Sequence, residues 1–317
     1  MIESSRSEYV GKLQLLTGEL NKVIIGKERQ LEMVCVALLA GGHILLEDVP
    51  GVGKTTLAKA VSTLIGSTFG RIQFTPDTMP ADVIGFSMYQ QNKDQFVFVE
   101  GPVMKQVLLA DEINRTSPKT QSALLEAMGE HQVTVDGITH PLTKPFFVIA
   151  TQNPLDFLGT YRLPEAQLDR FFCRISLGYP KKEAETEMVY KLVNGIDWDK
   201  IPSVLETSDI LKMQEEVSKV KIHEDLVQYI LDIIETTRNH EHIVLGISPR
   251  GTLALVRGSM ALAYLKGRDY VIPEDIVTCL VPVCAHRIVL STEAKLKKLT
   301  AQNVLLDIKN DHKIPLL

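Results

Sequence analysis

Along the first 180 residues, short apolar runs alternate with amphipathic stretches. The runs cover residues 43–46, 71–74, 107–110, 146–150 and 172–177. They are rich in Ile, Leu, Val and Phe and almost unbroken by charge, which suits strands buried on both faces. Between them, 55–65 and 119–129 carry helical patterns. Strand and helix in alternation predict an α/β fold with a mostly parallel sheet. Two segments interrupt it. Residues 80–102, with Gly85, the polar Gln90-Gln91-Asn92 and the alternating Phe96-Val97-Phe98-Val99, read as an inserted strand pair. In 132–142, Asp136-Gly137 separates Val133-Thr134-Val135 from Ile138-Thr139, a strong hairpin signal.

Beyond a boundary near 178–183 the strands are expected to stop. Leu226, Ile230, Ile233 and Ile234 form one helical stripe; Leu253, Val256, Met260 and Ala263 form another. Pro273-Glu274-Asp275 starts a further helix with proline in its first turn. The expectation is a smaller, all-α C-terminal domain.

The chain has 317 residues, 45% hydrophobic and 23% charged, which excludes a disordered polymer. At roughly 150 residues per domain it holds about two. A net charge of −5 argues against bulk binding to nucleic acid or anionic membrane. The main basic cluster, Lys295, Lys297 and Lys298, is short and reads as a solvated helix face. No apolar run approaches the ~20 residues of a membrane span. The first 21 residues are polar and helical in pattern, without a signal-peptide core. Cys35, Cys173, Cys279 and Cys284 lie scattered in apolar stretches and read as reduced core thiols, which fits a cytoplasmic protein. His240 and His242 lack partners at zinc-ligand spacing and read as a loop or helix-end feature.

The chemistry lies at the ends of the predicted strands. After 43–46 comes Glu47-Asp48-Val49-Pro50-Gly51-Val52-Gly53-Lys54-Thr55-Thr56, which opens a helix and so has the context of a phosphate loop. Gly51 and Gly53 let backbone N–H groups turn toward an anion, and the helix N-terminus adds its positive end. Lys54 suits β- and γ-phosphates and the Thr55 hydroxyl suits Mg²⁺. Asp48 stands where the motif usually has its first glycine; a carboxylate there must point away from bound phosphates. The run 107–110 ends in Asp111-Glu112, an acidic pair at the C-terminal edge of the sheet, where ligands of open α/β sheets bind. Asp111 would hold Mg²⁺ and Glu112 would orient or deprotonate an attacking water. The run 146–150 leads to Asn153. The residues alone leave it open between an amide that positions phosphate or water and a turn Asn before Pro154. Arg170 and Arg250 are guanidinium candidates, each with a plain alternative as a surface or helix-start residue.

Together these motifs make the chain resemble an AAA+ ATPase, and more closely the MoxR family. The resemblance runs from about Val23 to the C-terminus. It rests on residues 45–55, Gln73-Phe74-Thr75-Pro76-Asp77 with Pro80-Ala81-Asp82, residues 108–115, residues 150–154, residues 163–171 and Ser248-Pro249-Arg250. It implies a parallel five-stranded αβα core (23–180) with a helical lid (181–317) behind an N-terminal helical segment (1–22). It implies a helix-2 insert near 85–99 and a hairpin before sensor 1 near 132–142. By resemblance Asn153 is sensor 1, Arg170 the arginine finger acting on a neighbour's ATP, and Arg250 sensor 2. Ile24, Ile25 and Gly26 pack on adenine, and Arg115 is a further residue facing a neighbour. The implied cofactors are ATP and Mg²⁺. The implied assembly is a ring, a hexamer, that remodels or matures protein complexes, often with a protein carrying a von Willebrand factor type A domain. The competing readings are a nucleic-acid-stimulated motor or loader, a nucleotide-binding scaffold without turnover and a small-molecule kinase. The first would need a basic pore surface, and the short cluster Lys295, Lys297 and Lys298 lies in the helical domain. Glu112, Asn153 and Arg170 argue against the second, and the third leaves the inserts and lid unexplained.

Overall fold

The computed structural model describes residues 2–92, 94–154, 160–193 and 202–315. Its centre is a five-stranded parallel sheet. Across it the strands run Phe69–Gln73, Val107–Asp111, Phe147–Gln152, Ile44–Glu47 and Cys173–Ile175. Register is continuous: Ile44 faces Ile149 on one side and Cys173 on the other. All five expected strands are present, with ends moved by one or two residues. The apolar run understates Phe69–Gln73 because this strand is an edge, and only its Ile72 is buried.

The alternation of side chains divides the core into two layers. Leu45, Leu108, Ala110, Val148 and Ala150 meet Leu124, Leu125 and Met128 of the helix Pro118–Glu130. Ile44, Leu46, Val107, Leu109 and Ile149 meet the helices Ile2–Val23, Glu28–Leu39 and Lys54–Leu64. The inserted segment 80–102 opens with a short helix, Pro80–Ile84, and continues as the hairpin of Gly85–Gln90 with Gln95–Glu100. A Cβ at Gly85 would sit 2.3 Å from the Val99 carbonyl oxygen, so glycine is required there. The second hairpin pairs Gln132–Val135 with Ile138–Pro141. Asp136 and Gly137 both take positive φ, 50° and 79°, as the tight turn demands. The two hairpins touch through a stacked Phe98–His140 pair at 3.9 Å.

The C-terminal region is helical: Lys182–Val193, Thr207–Val217, Glu224–Asn239, Pro249–Leu265, Pro273–Cys284 and Ala301–Asp311 are its longer helices. Two expectations need correction. Strands do not stop entirely, because Ile243–Leu245 pairs antiparallel with Val289–Leu290; such short runs give no periodic signal. The stripe Leu253, Val256, Met260 and Ala263 is only the margin of its helix's buried face: Leu253 is exposed, Val256 and Met260 are partly buried against the core, and Ala263 is buried. The buried face is built on Ala254, Leu255, Gly258, Ala261 and Leu262. Small residues allow close approach: a Cβ at Gly258 would lie 3.0 Å from the Phe172 ring. These helices lie along the Cys173–Ile175 edge of the sheet and against Glu28–Leu39. All four cysteines are free and buried. No described helix is long and apolar enough to cross a membrane.

Candidate active site

The strand Ile44–Glu47 ends at the C-terminal edge of the sheet, and the chain turns at once into the Gly-rich loop. Gly51 and Gly53 have φ of 86° and 90°, conformations that penalise a Cβ. Gly53 caps the helix Lys54–Leu64. The first-turn N–H groups of that helix have no intrahelical acceptor and suit an anion. Pro50 and Thr56 are exposed, Thr55 is half-buried, and Val52 packs against the core. Lys54 Nζ donates to the Asp48 carbonyl oxygen at 3.0 Å. The Asp48 carboxylate turns away from the loop, as its charge requires. It accepts from Ser176 Oγ and from the backbone N–H groups of Leu177 and Gly178.

The acidic pair sits at the same edge, two strands away. Asp111 Oδ1 accepts from Thr151 Oγ1 at 2.7 Å, and its Oδ2 accepts from Arg71 at 2.9 Å. Glu112 adopts a left-handed backbone, φ 57°, and its N–H donates to Thr151 Oγ1 at 2.8 Å. Its Oε2 accepts from Gln73 Nε2 at 2.7 Å and from Arg115 at 3.0 Å. One cleft of about 390 Å³ joins Gly51, Lys54 and Thr55 to Arg71, Asp111 and Glu112. The Thr55 hydroxyl and the two carboxylates form an all-oxygen donor set that suits Mg²⁺. Arg71, Gln73 and Thr151 carry this arrangement, yet sequence reasoning gave them no role. The available signals were a polar i, i+2 pair on an edge strand and one hydroxyl at the end of an otherwise apolar strand.

Asn153 follows the strand Phe147–Gln152 at the same edge and is buried, with its carbonyl oxygen 3.5 Å from Asn114 Nδ2. It does not line the cleft. Ile24 is buried against the phosphate loop: a Cβ at Gly53 would lie 3.5 Å from its Cδ1. Ile25 is half-buried. Gly26, φ 71°, faces Ala184, and Lys27 Nζ donates to the Tyr179 carbonyl oxygen at 2.8 Å.

Arg170 and Arg250 lie elsewhere. In a parallel sheet, residues that precede a strand sit at the edge opposite those that follow one. Arg170 precedes Cys173–Ile175, and the Phe172 N–H donates to the His43 carbonyl oxygen just before Ile44–Glu47. The edges of that four-residue strand are about 13 Å apart at ~3.3 Å per residue. Arg170 reaches not the phosphate loop but the Leu125 carbonyl oxygen, at 2.8 Å. Ser248 Oγ donates to Asp169 at 2.9 Å, which fixes the start of the helix Pro249–Leu265, and with it Arg250, at this same N-terminal edge. Arg250 is exposed. Arg287 was overlooked from sequence and completes the network. Buried, it donates to Asp169 Oδ1 at 2.8 Å and to the carbonyl oxygens of Phe171, Phe172 and Val283. Beside it, burial pushes His286 well below the usual histidine range. His43 is pushed down to about 4, again by burial. Its Nδ1 accepts from the Val148 N–H, and its Nε2 donates to the Met128 carbonyl oxygen.

Comparison with known proteins agrees with this fold. Residues 43–173 match the model of the ATPase family associated with various cellular activities (AAA), and residues 235–308 match an AAA lid domain. A Bacillus subtilis (strain 168) protein named YeaC is 46% identical over 93% of this chain and 92% of its own. Chaperone MoxR1 of Mycobacterium tuberculosis is 41% identical over 90% of this chain and 78% of its own. A crystal structure of a Cytophaga hutchinsonii protein superposes with a TM-score of 0.93 at 38% identity, covering 99% of this chain and 98% of that one. With its five-stranded parallel core, helical lid and these relatives, the chain belongs to the MoxR family of AAA+ ATPases.

Proposed function

We propose that the chain hydrolyses ATP in an Mg²⁺-dependent reaction, in a ring of its own copies, a hexamer, and uses the cycle to remodel or mature partner protein complexes. The observation that carries this reading is the division of the motifs between two sheet edges. The phosphate loop and acidic pair share one edge, while Arg170 and Arg250 share the other, beyond reach of the chain's own cleft. A head-to-tail ring joins one copy's first edge to the next copy's second.

In this mechanism the backbone N–H groups of residues 51–55 and the Lys54 ammonium hold the β- and γ-phosphates. Ile24, Ile25 and Gly26 pack on the adenine. Thr55 and Asp111 would hold Mg²⁺, which when bound would neutralise charge on the phosphate oxygens. Glu112 leaves Gln73 and Arg115 to orient and deprotonate the attacking water. Asn153 positions that water or the γ-phosphate. Arg170 of the adjoining copy stabilises charge on the transferred group, and Arg250 joins it from the lid. Arg115, at the rim of the acidic pair, faces the same junction.

The naming of a 41% identical relative as a chaperone supports protein complexes as the target. We favour a client or partner carrying a von Willebrand factor type A domain, in the cytoplasm. The net charge of −5 disfavours a nucleic-acid-stimulated motor. The test is ATPase rate against protein concentration for wild type and Arg170→Ala. Specific activity should rise with concentration and collapse in the variant. Activity independent of both would overturn the ring.

A further inference from the structure

Asp48 holds more than the phosphate loop. The residue is 4% exposed, and its side chain accepts three hydrogen bonds. Oδ1 takes Ser176 Oγ at 2.8 Å and the Gly178 N–H at 2.8 Å, and Oδ2 takes the Leu177 N–H at 2.6 Å. A glycine, the usual residue at this point of the motif, would supply none of them. Residues 176–178 carry the chain out of the strand Cys173–Ile175 toward the helix Lys182–Val193. Gly178 has φ 61°, and the successive N–H groups of Leu177 and Gly178 converge on one anion. One residue further, the Tyr179 carbonyl oxygen accepts from Lys27, which follows the Ile24–Gly26 stretch beneath the loop.

The main chain of Asp48 faces the other way. Its carbonyl oxygen accepts from Lys54 Nζ at 3.0 Å, and its N–H donates to the Gln152 carbonyl oxygen at 3.2 Å. One residue therefore touches the phosphate-binding lysine with its backbone and the exit segment with its side chain. An ammonium drawn onto phosphate oxygens would loosen its hold on the Asp48 carbonyl. A resulting shift of that peptide would pass to 176–178 through hydrogen bonds to a charged acceptor, which are stronger than neutral ones.

We propose that Asp48 is a positioning residue that transmits occupation of the phosphate loop to the segment leading from the core sheet into the C-terminal helices. The proposal rests on the ATP-site reading above. Its test keeps the two apart by measuring mant-ADP binding and amide hydrogen exchange on the full chain, for wild type, Asp48→Asn and Asp48→Gly. ADP should slow exchange at Leu177 and Gly178 of wild type by about threefold or more. Both variants should bind mant-ADP within about fivefold of wild type; in Asp48→Gly both amides should exchange fast with no response to ADP, whereas Asp48→Asn keeps one acceptor oxygen and should lose the ADP response at Leu177. At saturating ATP their kcat should fall more than KM rises, whereas a merely structural role would lower stability and leave the ADP-dependent protection in place.

Wild-type exchange that ADP leaves unchanged, despite mant-ADP binding, overturns this proposal alone. So does ADP-dependent protection that survives in Asp48→Gly. Absence of mant-ADP binding to wild type overturns the ATP-site reading and this proposal with it. If the Asp48 variants fail to fold, the wild-type exchange decides. Ser176→Ala then serves as the milder variant: it leaves both backbone donors and should reduce the ADP effect at Gly178, which shares Oδ1. An unchanged effect there counts against the proposal.

Discussion

At the C-terminal edge of the sheet, Arg71 and Arg115 pair with Asp111 and Glu112 while 46% and 45% of their side chains stay exposed. At the N-terminal edge, Arg287 pairs with Asp169 at 2% exposure and also donates to four backbone carbonyls. The geometries are similar, but the energetics are not. Exposed pairs contribute at most about 1 kcal/mol and are cheaply exchanged for other partners. A buried guanidinium with all its donors engaged cannot let go without stranding a desolvated charge. The first edge is therefore free to rearrange cheaply, as the proposed binding of phosphates and a metal ion would require. The second is built to stay fixed, holding core and C-terminal helices together and presenting Arg170 and Arg250 as one unit.

The sharpest way to break this comparison is to disable each edge separately and look for loss of the same reaction. Glu112→Gln should lower kcat by about 10³ or more with mant-ATP binding retained. Arg170→Ala should lower it by up to about 10³ in assembled protein. Steady-state kinetics beside equilibrium binding will show this, and a normal rate in Arg170→Ala would remove the second edge from the chemistry.

Next in size is stability. Arg287→Ala leaves Asp169 without its buried cation and should destabilise by about 3–5 kcal/mol in urea unfolding. A loss as small as that of an exposed pair would erase the distinction between the edges.

Acid acts on the same edge. The folded chain holds His43 neutral down to about 4, whereas the unfolded chain takes up a proton near 6.5. Stability is therefore level above that window and falls as pH drops through it, by about 3 kcal/mol in all. His286, also pushed down by burial, adds to the slope in the same sense. Urea midpoints at successive pH values should show the slope, and His43→Gln should flatten it.

The smallest effect belongs to the exposed pair. Arg71→Ala should change stability by less than about 1 kcal/mol, measured in the same urea series.

Much of this was legible in sequence, for a physical reason. Buried parallel strands write themselves as unbroken apolar runs, and phosphate chemistry needs glycines, a lysine and carboxylates at strand ends. The position of Arg170 before a strand even implies its edge. The partners of Asp48 were not legible. Two of its three donors are backbone N–H groups, which every residue but proline carries, and they lie about 130 residues along the chain. Arg71 and Arg287 look like ordinary charges until neighbouring strands and helices bring them to Asp111 and Asp169. The buried face of Pro249–Leu265 was misread because large apolar residues weigh more than small ones in a periodic pattern. Here the small residues, Ala254 and Gly258, are what let another element approach.

In the proposed ring, one copy's fixed edge completes another copy's rearrangeable edge. Mixing Glu112→Gln with Arg170→Ala, each inactive alone, tests it most directly. In an equimolar mixed ring, a working site needs an intact Glu112 from one copy and an intact Arg170 from its neighbour. Such a ring should recover about a quarter of the wild-type ATPase rate, the chance of that pairing at random. A mixture as inactive as its components, in rings shown to contain both, would contradict it.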